Sequence, residues 1–178
     1  MPTSYIARFG DERRLADVLA RFAHSLGLAL WLGGLVAIGA VVAPTAFHVA
    51  RTYPLLSGNH VAQAAVAGGI VGGSLRIFNW LCVFSLALML AADLVALKAR
   101  SRVGAAGLAV TLILALSLGY QMLLLFPAMD AAQRANDMAL FDSLHARYYA
   151  ASVYLQLPLL LASALLAAVR QGEPQIGR

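Results

Sequence analysis

Charge is what this chain has least of. Only 12% of its 178 residues are Asp, Glu, Lys or Arg, against 61% hydrophobic residues and a mean hydropathy of +0.78. Soluble domains are nearer half apolar and a quarter charged, so these few charges could not cover a water-soluble sphere of this size. The same shortage of polar residues excludes disorder, and a single cysteine, Cys82, excludes a disulfide scaffold. Familiar catalytic signatures are missing too. There is no GxxxxGK[ST] loop, no GxGxxG after a strand, no nucleophile elbow, no His-x-x-Glu-His and no Glu-x-x-His carboxylate pattern. An enzyme with a known motif is disfavoured. The net charge of +5 comes from cations scattered between apolar blocks, which fits membrane topology rather than nucleic-acid binding.

Four long apolar blocks are present. A spanning helix needs about 20 mostly apolar residues to cross roughly 30 Å of hydrocarbon. The blocks lie at about 22–43, 75–97, 103–126 and 149–169, with Pro44 and Pro127 expected to stop the first and third and Pro158 inside the fourth. No alternating strand pattern competes. The expectation is an all-α, polytopic membrane protein of one domain, a four-transmembrane-helix bundle. Residues 1–21 carry seven charges of mixed sign, which suits a short interfacial helix capped by Asp11 better than a signal segment. Residues 57–74 are uncharged and small, and read as a helical lead-in to the second span. There Gly68, Gly69, Gly72 and Gly73 have the small-xxx-small spacing that lets helices approach.

Orientation follows from the cations beside the span ends. Arg8, Arg13, Arg14, Arg21, Lys98, Arg100, Arg102, Arg170 and Arg178 fall on one side; Arg51, Arg76, Arg134 and Arg147 fall on the other. Both termini should face the cytoplasm. Twelve arginines against one lysine, with abundant alanine, point to a GC-rich bacterial genome and hence a bacterial inner membrane.

Polar groups inside a membrane are costly, so function is sought there first. Asp93 is the one acid within a span and is expected to pair with Lys98 or Arg100 or to snorkel. His24 opens the first span with Trp31 on its stripe, and is a candidate ligand for haem or copper with His48 or His145 from the far end. Asn79, Gln121, Tyr154 and Gln156 lie at matched depth, where they could bond helix to helix or line a pocket.

These residues also carry a resemblance. The run LWLGGLVAIGAVVAPTAF (Leu30 to Phe47) resembles the first-span signature of the DUF4149, or TMEM205-like, family of small membrane proteins, where a Trp-x-Gly-Gly turn precedes an apolar run ending in Pro-x-x-Phe. Trp31, Gly33, Gly34, Pro44 and Phe47 occupy those positions, and GGIVGGSLRIFNWL (Gly68 to Leu81) and FDSLHARYYAASVYLQL (Phe141 to Leu157) are similar to later segments. The resemblance implies a four-span bundle with both termini inside, and no agreed catalytic residues. A more distant likeness to the copper-resistance CopD domain and the HemJ-type haem proteins implies His24 as a cofactor ligand. Two functions stay open: a bundle that works by association, as a homo-oligomer or an accessory subunit among lipids and other membrane proteins, and a haem- or copper-handling protein. A small transporter is the third.

Overall fold

The computed structural model describes the backbone of residues 3–98 and 102–172 and the side chains of residues 14–98 and 102–170. Within them every regular element is helical, and four rods are long and apolar enough to cross a membrane: Arg14–Thr52, His60–Lys98, Arg102–Arg134 and Met138–Arg170. The protein is an all-α four-helix bundle of membrane type. At 33 to 39 residues the rods are about 50–58 Å long, far more than hydrocarbon alone requires.

Three of the rods are long because the proline inside each does not end it. The first runs from α1 (Thr3–Val36) through a π-helical stretch (Ala37–Val42) into α2 (Ala43–Thr52). The second is one helix, α3 (His60–Lys98). The third joins α4 (Arg102–Tyr120) to α5 (Phe126–Arg134) through a π stretch at Gln121–Leu125, and the fourth joins α6 (Met138–Ala150) to α7 (Leu157–Gly172) through one at Ala151–Gln156. Each time the residue before the proline reaches back five positions: Ala43 N–H to Ile38, Phe126 N–H to Gln121, Leu157 N–H to Ser152. A proline ring collides with the carbonyl four residues back, and its missing N–H leaves that carbonyl unbonded. Widening the turn by one residue relieves the collision and lets the helix continue. The expected stops at Pro44 and Pro127 are therefore corrected. So is the cap at Asp11, which lies inside α1; the N-terminal helix leads into the first span without a break at Arg21.

The connections are short and locally encoded. Pro54–Leu56 forms a single 3₁₀ turn, Gly58 takes a left-handed φ of 77°, and Asn59 caps α3 by accepting from the Ala62 N–H at 3.0 Å. Asn136 (φ 55°) turns the third rod, and Asp137 caps α6 through the Leu140 N–H.

Near the terminal end, α1, α3, α4 and α7 form a closed ring in which α3 touches α1 and α4, and α7 touches both of them. Its core is Trp31, Phe78, Cys82, Met89, Leu114, Leu118 and Leu160. Toward the far end the ring parts into two hairpins. One pairs α2 with the start of α3 through Ala46, Ala50 and Ala67; the other pairs α5 with α6 through Met129, Ala132, Leu144 and Tyr148.

Close helix approach sits elsewhere than the glycine pattern suggested. A Cβ on Gly33, Gly68, Gly69, Gly72 or Gly73 would meet nothing within 4 Å, whereas one on Gly34 would strike the Phe78 ring and one on Gly27 would lie 2.6 Å from the Ser85 carbonyl oxygen. Gly68 to Gly73 are thus not packing residues within one copy. Gly27→Ala should lower the thermal unfolding midpoint followed by circular dichroism in mild detergent, by the equivalent of about 1–3 kcal/mol for overpacking. Gly119→Ala, in open space, should leave it within about 0.5 kcal/mol.

Candidate functional site

A carboxylate inside an apolar bundle is stable only if charged and polar partners surround it. Asp93 is fully buried, and each of the other three rods brings it a side chain. Thr111 of the third rod donates to Oδ2 at 2.7 Å, and Arg170 of the fourth donates to Oδ1 at 3.2 Å. His24 of the first rod stands with Nδ1 3.5 Å from Oδ1. Its Nε2 shares a hydrogen bond of 3.0 Å with Ser163 Oγ, which fixes the ring between the first and fourth rods. Gly107 completes the site. A Cβ there would lie 3.0 Å from both Asp93 Oδ1 and an Arg170 nitrogen, so a methyl group would crowd the ion pair and make it give by a few tenths of an ångström. Of the expected partners of Asp93, Lys98 is exposed and its place is taken by Arg170; Arg100 lies outside the described residues.

Chemically the cluster unites a carboxylate, an imidazole and a guanidinium in a nearly dry setting. Two of its donors keep spare capacity, because His24 Nδ1 and Arg170 Nε are buried without a hydrogen-bond partner.

A second polar group lies farther along the bundle, past a dry layer of Trp31, Met89, Leu114 and Leu160, each 0% exposed. Gln156 Nε2 donates to Gln121 Oε1 at 2.7 Å and to Ser117 Oγ at 3.2 Å. Gln121 Nε2 donates to Ser152 Oγ at 2.9 Å and to the Tyr148 carbonyl at 3.1 Å. The Tyr148 hydroxyl donates to Asn79 Oδ1 at 2.8 Å, which ties the second rod to the fourth. Gln121, Ser152 and Gln156 all belong to the two widened turns. Extra backbone girth there brings amides to the axis.

Of the residues singled out from sequence, Asp93 and His24 meet in the first cluster, and Asn79, Gln121 and Gln156 in the second. Tyr154 joins neither. It is 73% exposed, turned outward with its ring edge-on to Tyr149, so its place among the helix-bonding residues is corrected. Trp31 is buried in the core with its indole N–H unpartnered. The histidines do not converge. His48 and His145 are exposed near the far end, and His48 lies about 36 Å along the first rod from His24, beyond the reach of one shared metal or haem. Among the described residues no three His, Cys, Asp or Glu side chains gather as metal ligands would.

Thr111, Ser163, Arg170, Gly107, Ser117, Tyr148 and Ser152 were missed. A signal for some of them exists: Gln156, Ser163 and Arg170 recur every seven residues, as do Gly107 and Leu114 with Gln121, so polar and small groups share the stripe of a bundle's inner face.

No family model, curated protein or solved structure matches the chain.

Removing the carboxylate strands a guanidinium and an imidazole in a dry interior. Asp93→Asn should destabilise the bundle by about 3 kcal/mol in detergent unfolding. Arg170→Leu added to Asp93→Asn should restore part of that loss, because the stranded cation is then gone. A double variant as unstable as the sum of the two single ones would show that the residues are not coupled.

Proposed function

We propose that this is a non-enzymatic membrane protein that works through helix–helix association, with copies of itself or as an accessory subunit of a larger membrane assembly. The carrying observation is a mismatch between length and polarity at the far end. From Lys98 back to Arg76 the second rod covers 22 residues, about 33 Å, which is one hydrocarbon thickness. The rod then continues to His60, about 24 Å farther. The hairpin it forms with α2 has a single formal charge over residues 43–75, that of Arg51. Its exposed side chains include Phe47, Val49, Val66 and Ile70, with Leu55 at 84% and Val61 at 82%. The neighbouring α5–α6 hairpin, by contrast, carries Asp130, Arg134, Asp137, Asp142 and Arg147, as a water-facing element should.

A protruding hairpin with apolar side chains and open glycines is suited to cover by another helix rather than by water. The interior supports the same reading, since its polar groups are mostly engaged with one another. The likeness of Trp31, Gly33, Gly34, Pro44 and Phe47 to the DUF4149 signature is part of this proposal, as is a bacterial inner membrane with both termini cytoplasmic. The excess of arginine and lysine at the terminal end supports that orientation.

Single cysteines at Val61, Val66 and Ile70, crosslinked in native membranes, provide the test. Crosslinked dimers of the chain, or one discrete adduct with a second membrane protein, are expected from at least one position. Only uncrosslinked monomer from all three would overturn the reading.

A small transporter is a second reading, favoured by one observation: polar clusters occupy the bundle axis on both sides of the dry Trp31 layer. It requires that layer to open. Proteoliposomes carrying a pH-sensitive dye should then acidify under an imposed potential, and Asp93→Asn should abolish the response. Equal proton entry into protein-free vesicles and into those with wild-type protein would end it.

A further inference from the structure

Between the second and third rods, at the level of Arg76 and Asp130, lies an open cavity of about 310 Å³. Arg76, Asn79, Trp80, Met122, Phe126 and Asp130 line it together with Arg134 and Pro127. Its two chemistries are segregated. Arg76 reaches Asp130 at 2.9 Å across the rim and stacks its guanidinium 5.6 Å from the centre of the Phe126 ring. Arg134 adds a second cation, exposed and in contact with no carboxylate among the described residues. Two guanidinium groups against one carboxylate leave a net charge of +1 at the mouth. Below the mouth the wall turns apolar. Trp80 is 66% exposed, and Phe84, one turn farther into the bilayer, is exposed as well.

That combination, a cationic mouth at the headgroup level above an aromatic wall at acyl-chain depth, has one natural complement. The geometry points to a binding site for an anionic phospholipid, with the phosphodiester held by Arg134 and Arg76 and the chains lying along Trp80 and Phe84. Guanidinium matches the paired oxygens of a phosphate, and its stacking on Phe126 holds Arg76 in place before a headgroup arrives. Indole is favoured at this level, where its N–H meets the headgroup region and its ring meets the chains. A net charge of +1 selects a monoanionic headgroup such as phosphatidylglycerol over a zwitterionic one. Asp130 opposes the bound phosphate, so it tunes the affinity downward. The 310 Å³ cavity holds a headgroup only, and the chains remain part of the surrounding membrane layer.

The two tryptophans make the test specific, because Trp31 is 0% exposed in the core and only Trp80 is reachable by lipid. The full-length protein is placed in bilayers that mix dibrominated phosphatidylglycerol with plain phosphatidylcholine, and in bilayers with the bromines on phosphatidylcholine instead. Brominated phosphatidylglycerol should quench Trp80 at about a fivefold lower mole fraction, the preference expected for one basic residue beside an anionic lipid. Arg134→Gln should bring the two lipids to parity, and Asp130→Asn should widen the preference. Trp80→Phe should remove the quenching altogether, which fixes the site. Helical melting of each variant, unchanged from wild type, separates loss of binding from loss of fold. Equal quenching by the two lipids in the wild-type protein overturns the proposal. So does a preference that survives Arg134→Gln, or one abolished by millimolar inorganic phosphate, since the site would then take the free ion rather than the lipid.

Discussion

Everything in the terminal half of this bundle is arranged around the need to keep one carboxylate charged where there is almost no water. Asp93 sits on the second rod, and each of the other three rods supplies a partner: an imidazole, a hydroxyl and a guanidinium. An uncompensated buried ion is far more damaging than a compensated one is helpful. The cluster therefore acts less as a source of stability than as a condition on geometry, since the four helices must be in a register that brings all three partners within reach. Gly107 leaves room for that arrangement, because a side chain there would crowd the ion pair.

The second network differs in kind. It is built from amides, hydroxyls and a phenol, and each hydrogen bond between membrane helices is worth about 0.6–2 kcal/mol. Its chain from Ser117 through Gln156, Gln121 and Ser152, with Tyr148 leading on to Asn79, ties three rods by accumulation rather than by one indispensable contact. Between the networks, the layer of Trp31, Met89, Leu114 and Leu160 keeps the ionic cluster dry from that side. A bundle so organised is tied across all four rods in its terminal half and divides into two hairpins beyond.

The class of fold was legible because hydrocarbon imposes a coarse rule: long apolar stretches must be helices, and four of them were countable. Where the rods end was not legible. Pro44 and Pro127 are read as helix stops in water-soluble chains, but a membrane-type rod that widens by one residue absorbs them. Asp93 and His24 could each be singled out as costly residues, yet nothing in their separation of 69 positions announces a contact. Arg170 was counted only for topology, and its length let it turn back toward the axis instead. The glycines show the opposite failure, since small-xxx-small spacing marks where helices could approach without saying whose helices they are.

Three widened turns have a consequence for how the rods present themselves. An inserted residue changes the azimuth of everything beyond it by about 100° relative to an unbroken α-helix, so each of these rods turns a different face to its neighbours on either side of its widened turn. The second rod, which has no such insertion, keeps a single phase from end to end. The first rod stays beside the second past its own widened turn, as the third stays beside the fourth, while the four-membered ring near the termini gives way to these two pairs. The two prongs of the molecule thus begin at the level where three rods change the face they present.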